Sequence, residues 1–496
     1  MKSDCKVKIG SGLLVSGLAL CLVQGAAAQP MSLSEVIGAA RTQSVPALEA
    51  RAAFVSDYWA WRSYQASRLP SLSLYGNLGS FDRSLRLLQN FETGEMVYTS
   101  NFNMENSLGL MARQNIIFTG GTLSLYTDLT RIDQFASSGR TWYAQPVTLS
   151  YSQPLFAYNQ FKWDRLISPK QYEKAKRTYL ESMEEVTLRA VERYFGVMEA
   201  QERYDAARTN YENTAQMLQI AAERLSLGSV TRDEYLQLEL RMLSDSISIN
   251  ENHVALREAR MLLNSLLGLD ETREVQTVLE EELPVVLMDY ELVLRKASEN
   301  SSFGFENSIS LLNAEAAVAQ ARAARGITMQ LNARFGLSKT APELQGVYRD
   351  LLDQEVVGLS FSVPILDWGE GKGRIRKAEA AAEVIKAQVE QAENDKRISL
   401  YTAVGQFNNQ RRICDVSRRA AAIARERYAL VMEKFRGGKA TVTDLNTARA
   451  ESDDATQKYI RDIASFWNYY YALRKLTLYD FIADDDIMVD YEEMTN

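Results

Sequence analysis

The feature that most constrains this chain is that it is written twice, in a register that tolerates no insertion over long stretches. Pro154 and Pro364 each close a strand-like segment, Ser-Gln-Pro-Leu-Phe in one copy and Ser-Val-Pro-Ile-Leu in the other. Gly228-Ser-Val-Thr231 answers Gly438-Lys-Ala-Thr441, and Leu263 to Leu266 with Asp270 answers Leu473 to Leu476 with Asp480. All three pairs stand 210 residues apart. An earlier block, Val36 to Ala40 against Val293 to Ala297 and Ala66 to Arg68 against Ala323 to Arg325, stands 257 apart. The offset therefore falls by 47 residues between the first strand and Pro154, so the first copy holds a surplus there. Repeats of this size must be recognised before a fold is assigned, because each copy is one structural unit.

Within each copy the order reads helix, strands, very long helix, turn, long helix. Ile327, Met329, Leu331, Ala333, Phe335 and Leu337 alternate with polar or small residues, as do Val357, Leu359, Phe361 and Val363. Leu72 and Leu74, then Val147, Leu149 and Tyr151, do the same in the first copy. Strict alternation sets one face in an apolar medium and the other in a polar one. Transmembrane barrel strands carry this pattern, and a soluble sheet with one buried face alternates equally well. The surplus is expected to hold an additional hairpin at about 105–131, turning at Phe118-Thr-Gly-Gly121. Glycine supplies the unusual backbone angles of such a turn.

The helices have a seven-residue seam: Met183, Ala190, Val197, Tyr204, Tyr211, Leu218 and Leu225, then Leu400, Phe407, Cys414, Ala421, Tyr428 and Phe435. Because 210 is a multiple of seven, both seams fall in one register, and a sustained heptad favours left-handed supercoiling. The first long helix is expected from about Ser168 to Leu227 with Pro169 in its first turn, where a missing N–H costs little. Such a helix is roughly 90 Å long at 1.5 Å per residue.

The start of the chain bears on compartment. Lys2, Lys6 and Lys8 precede a short apolar run from Gly10 to Val23, and Ala26 to Ala28 follow. This is the pattern of a cleaved export signal, so residues 1–28 are expected to be removed, with lipidation of Cys21 as the rival reading. Three Lys and one Asp leave with the signal, taking the formal net charge from −8 to −10. That balance opposes a nucleic-acid partner, which needs a basic face. Cys414 is then the only cysteine and His253 the only histidine, too few for an intrachain disulfide or a usual zinc site. No run after the signal reaches the roughly 20 apolar residues of a transmembrane helix, so a membrane span must be made of strands.

The turns after the long helices are the most informative local motif. Gly228 and Gly438, the latter preceded by Gly437, can end a helix in the left-handed conformation. Thr231 and Thr441 can cap the next helix, with Glu234 and Asp444 at the third position completing a capping box. Val230 lies between glycine and cap in the first turn.

These motifs in this order resemble the TolC-like outer-membrane efflux protein family. The resemblance rests on Leu33-Ser-Glu-Val-Ile, the Pro154 and Pro364 strand-to-helix junctions, the two Gly-x-x-Thr tips and the closing Leu473-Arg-Lys-Leu-Thr-Leu-Tyr-Asp480, and covers essentially the whole mature chain. It implies a mostly α fold with a β-barrel part, internally duplicated, in which a homotrimer forms an outer-membrane β-barrel continued by a periplasmic coiled-coil α-barrel. It further implies passive export with a periplasmic adaptor docking at the tips 226–232 and 436–442 and an inner-membrane pump supplying the drive. Under this reading 29–270 and 271–480 are the repeats, and 481–496 is an acidic tail. Some members carry two aspartates past the second tip; Asp444 matches the first, whereas Thr447 stands at the second, so six entrance carboxylates per trimer become three. A tip arginine that latches some members has Ala440 in its place.

Other features carry less. Gly369-Glu-Gly-Lys-Gly373 lacks the Ser/Thr of a phosphate loop and reads as a strand-to-helix hinge. Phe156, Tyr158, Phe161, Trp163 and Trp368 are placed where an interfacial aromatic girdle would be, and Asp484 to Glu493 reads as a solvated acidic end. No catalytic grouping, cofactor motif or metal-ligand set is visible, so a non-enzymatic protein is expected. A periplasmic coiled-coil tether without a pore is the alternative, and the alternating strands oppose it.

Overall fold

The computed structural model describes residues 30–89, 94–135, 139–279 and 282–495; the expected signal and Cys21 lie outside the described residues. In chain order the elements are β1 (Pro30–Met31), α1 (Leu33–Gln43), α2 (Val45–Ser67), β2 (Ser71–Gln89), β3 (Met96–Ile116), β4 (Gly121–Gln134), β5 (Gly139–Leu155), α3 (Gln160–Ser226) and α4 (Arg232–Leu267). The second repeat follows as β6 (Gln276–Thr277), α5 (Tyr290–Asn300), α6 (Phe303–Arg325), β7 (Thr328–Ala341), β8 (Leu352–Ser362), α7 (Glu370–Arg436) and α8 (Val442–Thr477). The chain closes with β9 (Tyr479–Asp480), β10 (Asp485–Asp486) and α9 (Tyr491–Thr495). Among the described residues no helix is long and apolar enough to cross a membrane.

The expected start of the first long helix needs correction. Helix α3 begins at Gln160, because the Asn159 side chain accepts from the Lys162 N–H at 3.2 Å and caps it there. Pro169 therefore sits inside the helix. It is exposed, as is Arg165, whose carbonyl loses its helical donor, and water can satisfy that group. Helices α3 and α7 each span 67 residues, roughly 100 Å at 1.5 Å per residue.

The chain divides into two compact units. One comprises 30–36, 193–265 and 269–279, built on the later part of α3 and most of α4. Its core is Val197, Met217, Leu238 and Leu263, all essentially sealed from solvent. Thr214 spans the two helices by donating to Asp245 at 2.7 Å. Where the unit's segments meet, β1 pairs parallel with β6, and the buried Tyr194 hydroxyl donates to the Val278 carbonyl at 2.7 Å.

The other unit comprises 37–192, 266–268 and 282–495 and contains the only large sheet of the described residues, six antiparallel strands in the order β2-β3-β4-β5-β7-β8. Four helices connect to it, α2 into β2, β5 into α3, α6 into β7 and β8 into α7. Their side-by-side pairings give the same lateral order. Trp61 of α2 stacks on Tyr172 of α3 at 5.5 Å, Lys174 of α3 pairs with Glu306 of α6 at 3.1 Å, and Arg322 of α6 pairs with Glu379 of α7 at 2.7 Å. Further along α7 the seam Leu400, Phe407, Cys414, Ala421 and Phe435 is buried, with Phe407 packed on Phe466 and Tyr470 of α8.

A charged cluster lies at the heart of this unit. Glu184 is fully buried, held by Arg41 at 2.8 Å and Arg474 at 3.1 Å, while Arg474 also reaches Asp480 at 2.6 Å. The acidic end is not a free solvated tail. Asp486 accepts from Lys296 at 2.9 Å and Asn300 at 2.7 Å, and the Tyr491 ring packs on Phe54. Paired charge and aromatic burial together hold down a segment whose composition alone reads as solvated.

Candidate conduit wall and helical tips

The sheet register shows how the alternation is used. One row across the strands reads Leu72, Ala112, Leu125, Leu149, Phe335 and Glu355. The next row, whose side chains point to the opposite face, reads Ser73, Met111, Tyr126, Thr148, Gly336 and Gln354. Successive side chains alternate between faces, so in-register pairing converts six local patterns into one apolar and one largely polar surface. The apolar surface is bare: Leu72 is 75% exposed, and Leu125, Phe335, Leu359 and Phe361 are exposed too. A soluble sheet would bury such a face. Lipid is the medium that suits it.

The junctions beneath the sheet differ between repeats. Pro154 lies within the last residues of β5, opposite Gln330 of β7, and Pro364 lies just past β8. Phe156 and Trp368 adopt left-handed backbone angles, φ 61° and 51°, and are largely exposed. Gly369 takes φ 92° at the N-terminus of α7. The carboxylate of Asp367 accepts from the Gly369 and Gly371 N–H groups, both at 2.9 Å. Those are the donors a phosphate would need, so the segment is a self-capped hinge. These bonds hold the Asp367 carboxyl below the usual carboxylate range. Its role was legible only as an Asp two residues before a glycine.

The two tips belong to different units and have the same local geometry. At the first, Gly228 has φ 73° and the Ser229 N–H donates to the Arg224 carbonyl at 3.0 Å. At the second, Gly438 has φ 74° and the Lys439 N–H donates to the Lys434 carbonyl at 2.8 Å. Each closes the last helical turn with a six-to-one bond. The Thr231 N–H donates to Glu234 at 2.9 Å and the Glu234 N–H to the Thr231 hydroxyl at 3.2 Å. Thr441 and Asp444 repeat this at 3.0 and 3.1 Å. Backbone N–H donation first, and the threonine hydroxyl second, hold both carboxyls below their ordinary range. Val230 is half-buried, Gly437 caps α7, and Thr447 turns its hydroxyl onto the Thr443 carbonyl at 3.0 Å.

Sequence reasoning missed the Glu184 cluster. Its members are far apart in the chain, and a single Glu beside a heptad position gives no local signal.

The strands present a bare apolar face, and β5 and β8 lead into helices of 67 residues each, a combination that suits proteins spanning a membrane by strands. The comparisons give a partial family match and a shared fold. The model of the family described as outer membrane efflux protein matches residues 306–477. No curated protein matches the chain by sequence. Among solved structures, the CmeC outer membrane channel of Campylobacter jejuni superposes with a TM-score of 0.65 at 15% identity, covering 93% of this chain and 89% of that one. The outer membrane protein VceC of Vibrio cholerae gives 0.62 at 12% identity, covering 92% and 97%. The outer-membrane channel OprN gives 0.63 at 16% identity, covering 90% and 89%. The segment 306–477 is thus similar to outer membrane efflux proteins, the resemblance its motifs carried, and the chain shares the fold of these channels.

Proposed function

We propose that the chain is a passive export duct of the outer membrane, a homotrimer whose strands line the membrane passage and whose helices extend into the periplasm. No reaction is involved. A periplasmic adaptor docks at the tips around Gly228, Val230 and Thr231 and around Gly437, Gly438 and Thr441, and an inner-membrane pump drives export. The Glu234 and Asp444 carboxylates sit at the entrance, where capping keeps them ionised and favours cations.

The observation that carries this reading is the six-stranded sheet, apolar and bare on one face, polar on the other. A coiled-coil tether has no use for it. Two further rows support self-association. Leu236, Leu240, Leu243 and Ile247 of α4 are exposed at helical spacing, and Val416, Ile423 and Leu430 of α7 are exposed at heptad spacing. Apolar rows of this kind are the seams of helix packing.

Single-channel recording in planar bilayers tests the proposal. Purified trimer is expected to give discrete, reproducible conductance that rises when tip variants open the entrance. Absence of conductance from both would sink the duct.

A further inference from the structure

The 47-residue surplus of the first repeat has a place in the wall. We propose that the β3–β4 hairpin is a wall element, so that each copy contributes six strands and the trimer closes eighteen instead of twelve. The inference rests on the trimeric duct reading and adds the width of its membrane passage.

Three observations carry it. First, the hairpin lies between β2 and β5, within the sheet, paired along both sides. Its apolar residues continue the bare face: Leu108, Leu110, Leu123 and Leu125 are all exposed. Outside the wall they would stand in water.

Second, the hairpin is sewn to its neighbours. The Gln114 side chain donates to the Arg68 carbonyl at the end of α2 at 3.0 Å. Asn159, the cap of α3, donates to the Ile117 carbonyl at 3.1 Å, and Gln153 of β5 donates to the Thr119 carbonyl at 2.7 Å. Gly109 of β3 is overlain by the Tyr75 ring of β2, a carbon of which stands 2.5 Å from where a Cβ would be. An aromatic covering a cross-strand glycine pins register.

Third, the edges and widths fit a ring. Strands β2 and β8 are the two ends of the sheet. With an even number of antiparallel strands they run in opposite directions, so β8 of one copy can continue antiparallel onto β2 of the next. Six strands are too few to close alone, since about eight give an interior just filled by side chains. Strands about 4.8 Å apart and tilted by about 40° each occupy roughly 6.3 Å of circumference, so six take roughly 38 Å and four roughly 25 Å. Four helices at about 8–10 Å take roughly 32–40 Å. Six strands take about the same width as the helices α2, α3, α6 and α7 that join them. Eighteen strands give a backbone diameter of roughly 36 Å against roughly 24 Å for twelve.

Disulfide mapping in isolated outer membranes, in a Cys414→Ala background, tests the placement. Ser73→Cys with Met111→Cys and Ser124→Cys with Ser150→Cys pair residues opposite each other in the sheet, and both are expected to cross-link within one copy. Cross-linking of Ser73→Cys to Ser150→Cys in their stead would eject the hairpin from the wall and overturn the inference. Electron cryo-microscopy of the intact protein in lipid nanodiscs then counts strands. An eighteen-stranded trimeric ring supports the inference, narrowing by about a third when Met96 to Ser138 are deleted. A twelve-stranded conducting ring overturns it and leaves the duct intact. A protein with neither ring nor conductance overturns both.

Discussion

The left-handed glycines at the tips allow the adaptor-docking reading to be tested with a known energy. At Gly228 a Cβ would meet nothing within 4 Å, so replacing it introduces no clash, and the cost is purely conformational. Holding an L-residue at φ 73° costs about 1–2 kcal/mol, with β-branched residues at the upper end. Gly228→Val therefore carries about 2 kcal/mol, a factor of about 30 in the population of the native turn. What gives way is the six-to-one bond from the Ser229 N–H to the Arg224 carbonyl. Adaptor affinity, measured by titrating purified adaptor onto the nanodisc-bound protein, should fall by up to about that factor, because apparent affinity scales with the fraction of turns in the competent form. Outer-membrane insertion should stay at wild-type level, because the wall lies in the other unit. Gly228→Asn is the control, since asparagine tolerates the left-handed region, and it should keep most of the affinity. Wild-type affinity in the valine variant, or equal loss in both, would refute docking at an intact turn.

Three further outcomes follow from the same geometry. Glu184→Ala strips the buried partner from Arg41 and Arg474. Removing one side of a buried pair costs about 3–5 kcal/mol, and the partial exposure of both arginines sets the lower end, about 3 kcal/mol, so a melting temperature equal to wild type would dismiss the cluster as structural. Cys414 is buried, donates to the Asp462 carbonyl at 3.2 Å, and has its thiol pushed up to about 12 by burial. Maleimide should label it only after denaturation, and fast labelling of the native protein would contradict that packing. Asp444→Asn should reduce cation preference at neutral pH, read as a reversal potential across a salt gradient. Because its folded pKa is depressed, the charge and its cap are present above the ordinary carboxylate range and lost only as pH falls through the lowered value. Wild-type selectivity that disappears already in the ordinary range would remove capping as the cause.

What the sequence determined by itself is what is written in short range. The alternating strands, the heptad seams and the capped tips depend on near neighbours in the chain, and the duplication is those local patterns recurring 210 and 257 residues on. Alternation of period two tells which side chains share a face, but not which strand lies alongside. The hairpin expected at about 105–131 therefore had no place until pairing showed β3 and β4 between β2 and β5. The same limit applies to the Glu184 cluster, whose arginines lie 143 residues before it in Arg41 and near the end of the second repeat in Arg474. The acidic end read as solvated because Lys296 and Phe54, its partners, are remote in the chain. Pro169 differs for a local reason: proline prefers a first turn only where no stronger cap, here Asn159, starts the helix earlier. Local patterns set the kinds of surface this chain makes. Pairing between distant segments decided how many strands the sheet holds and which charges are sealed among the helices.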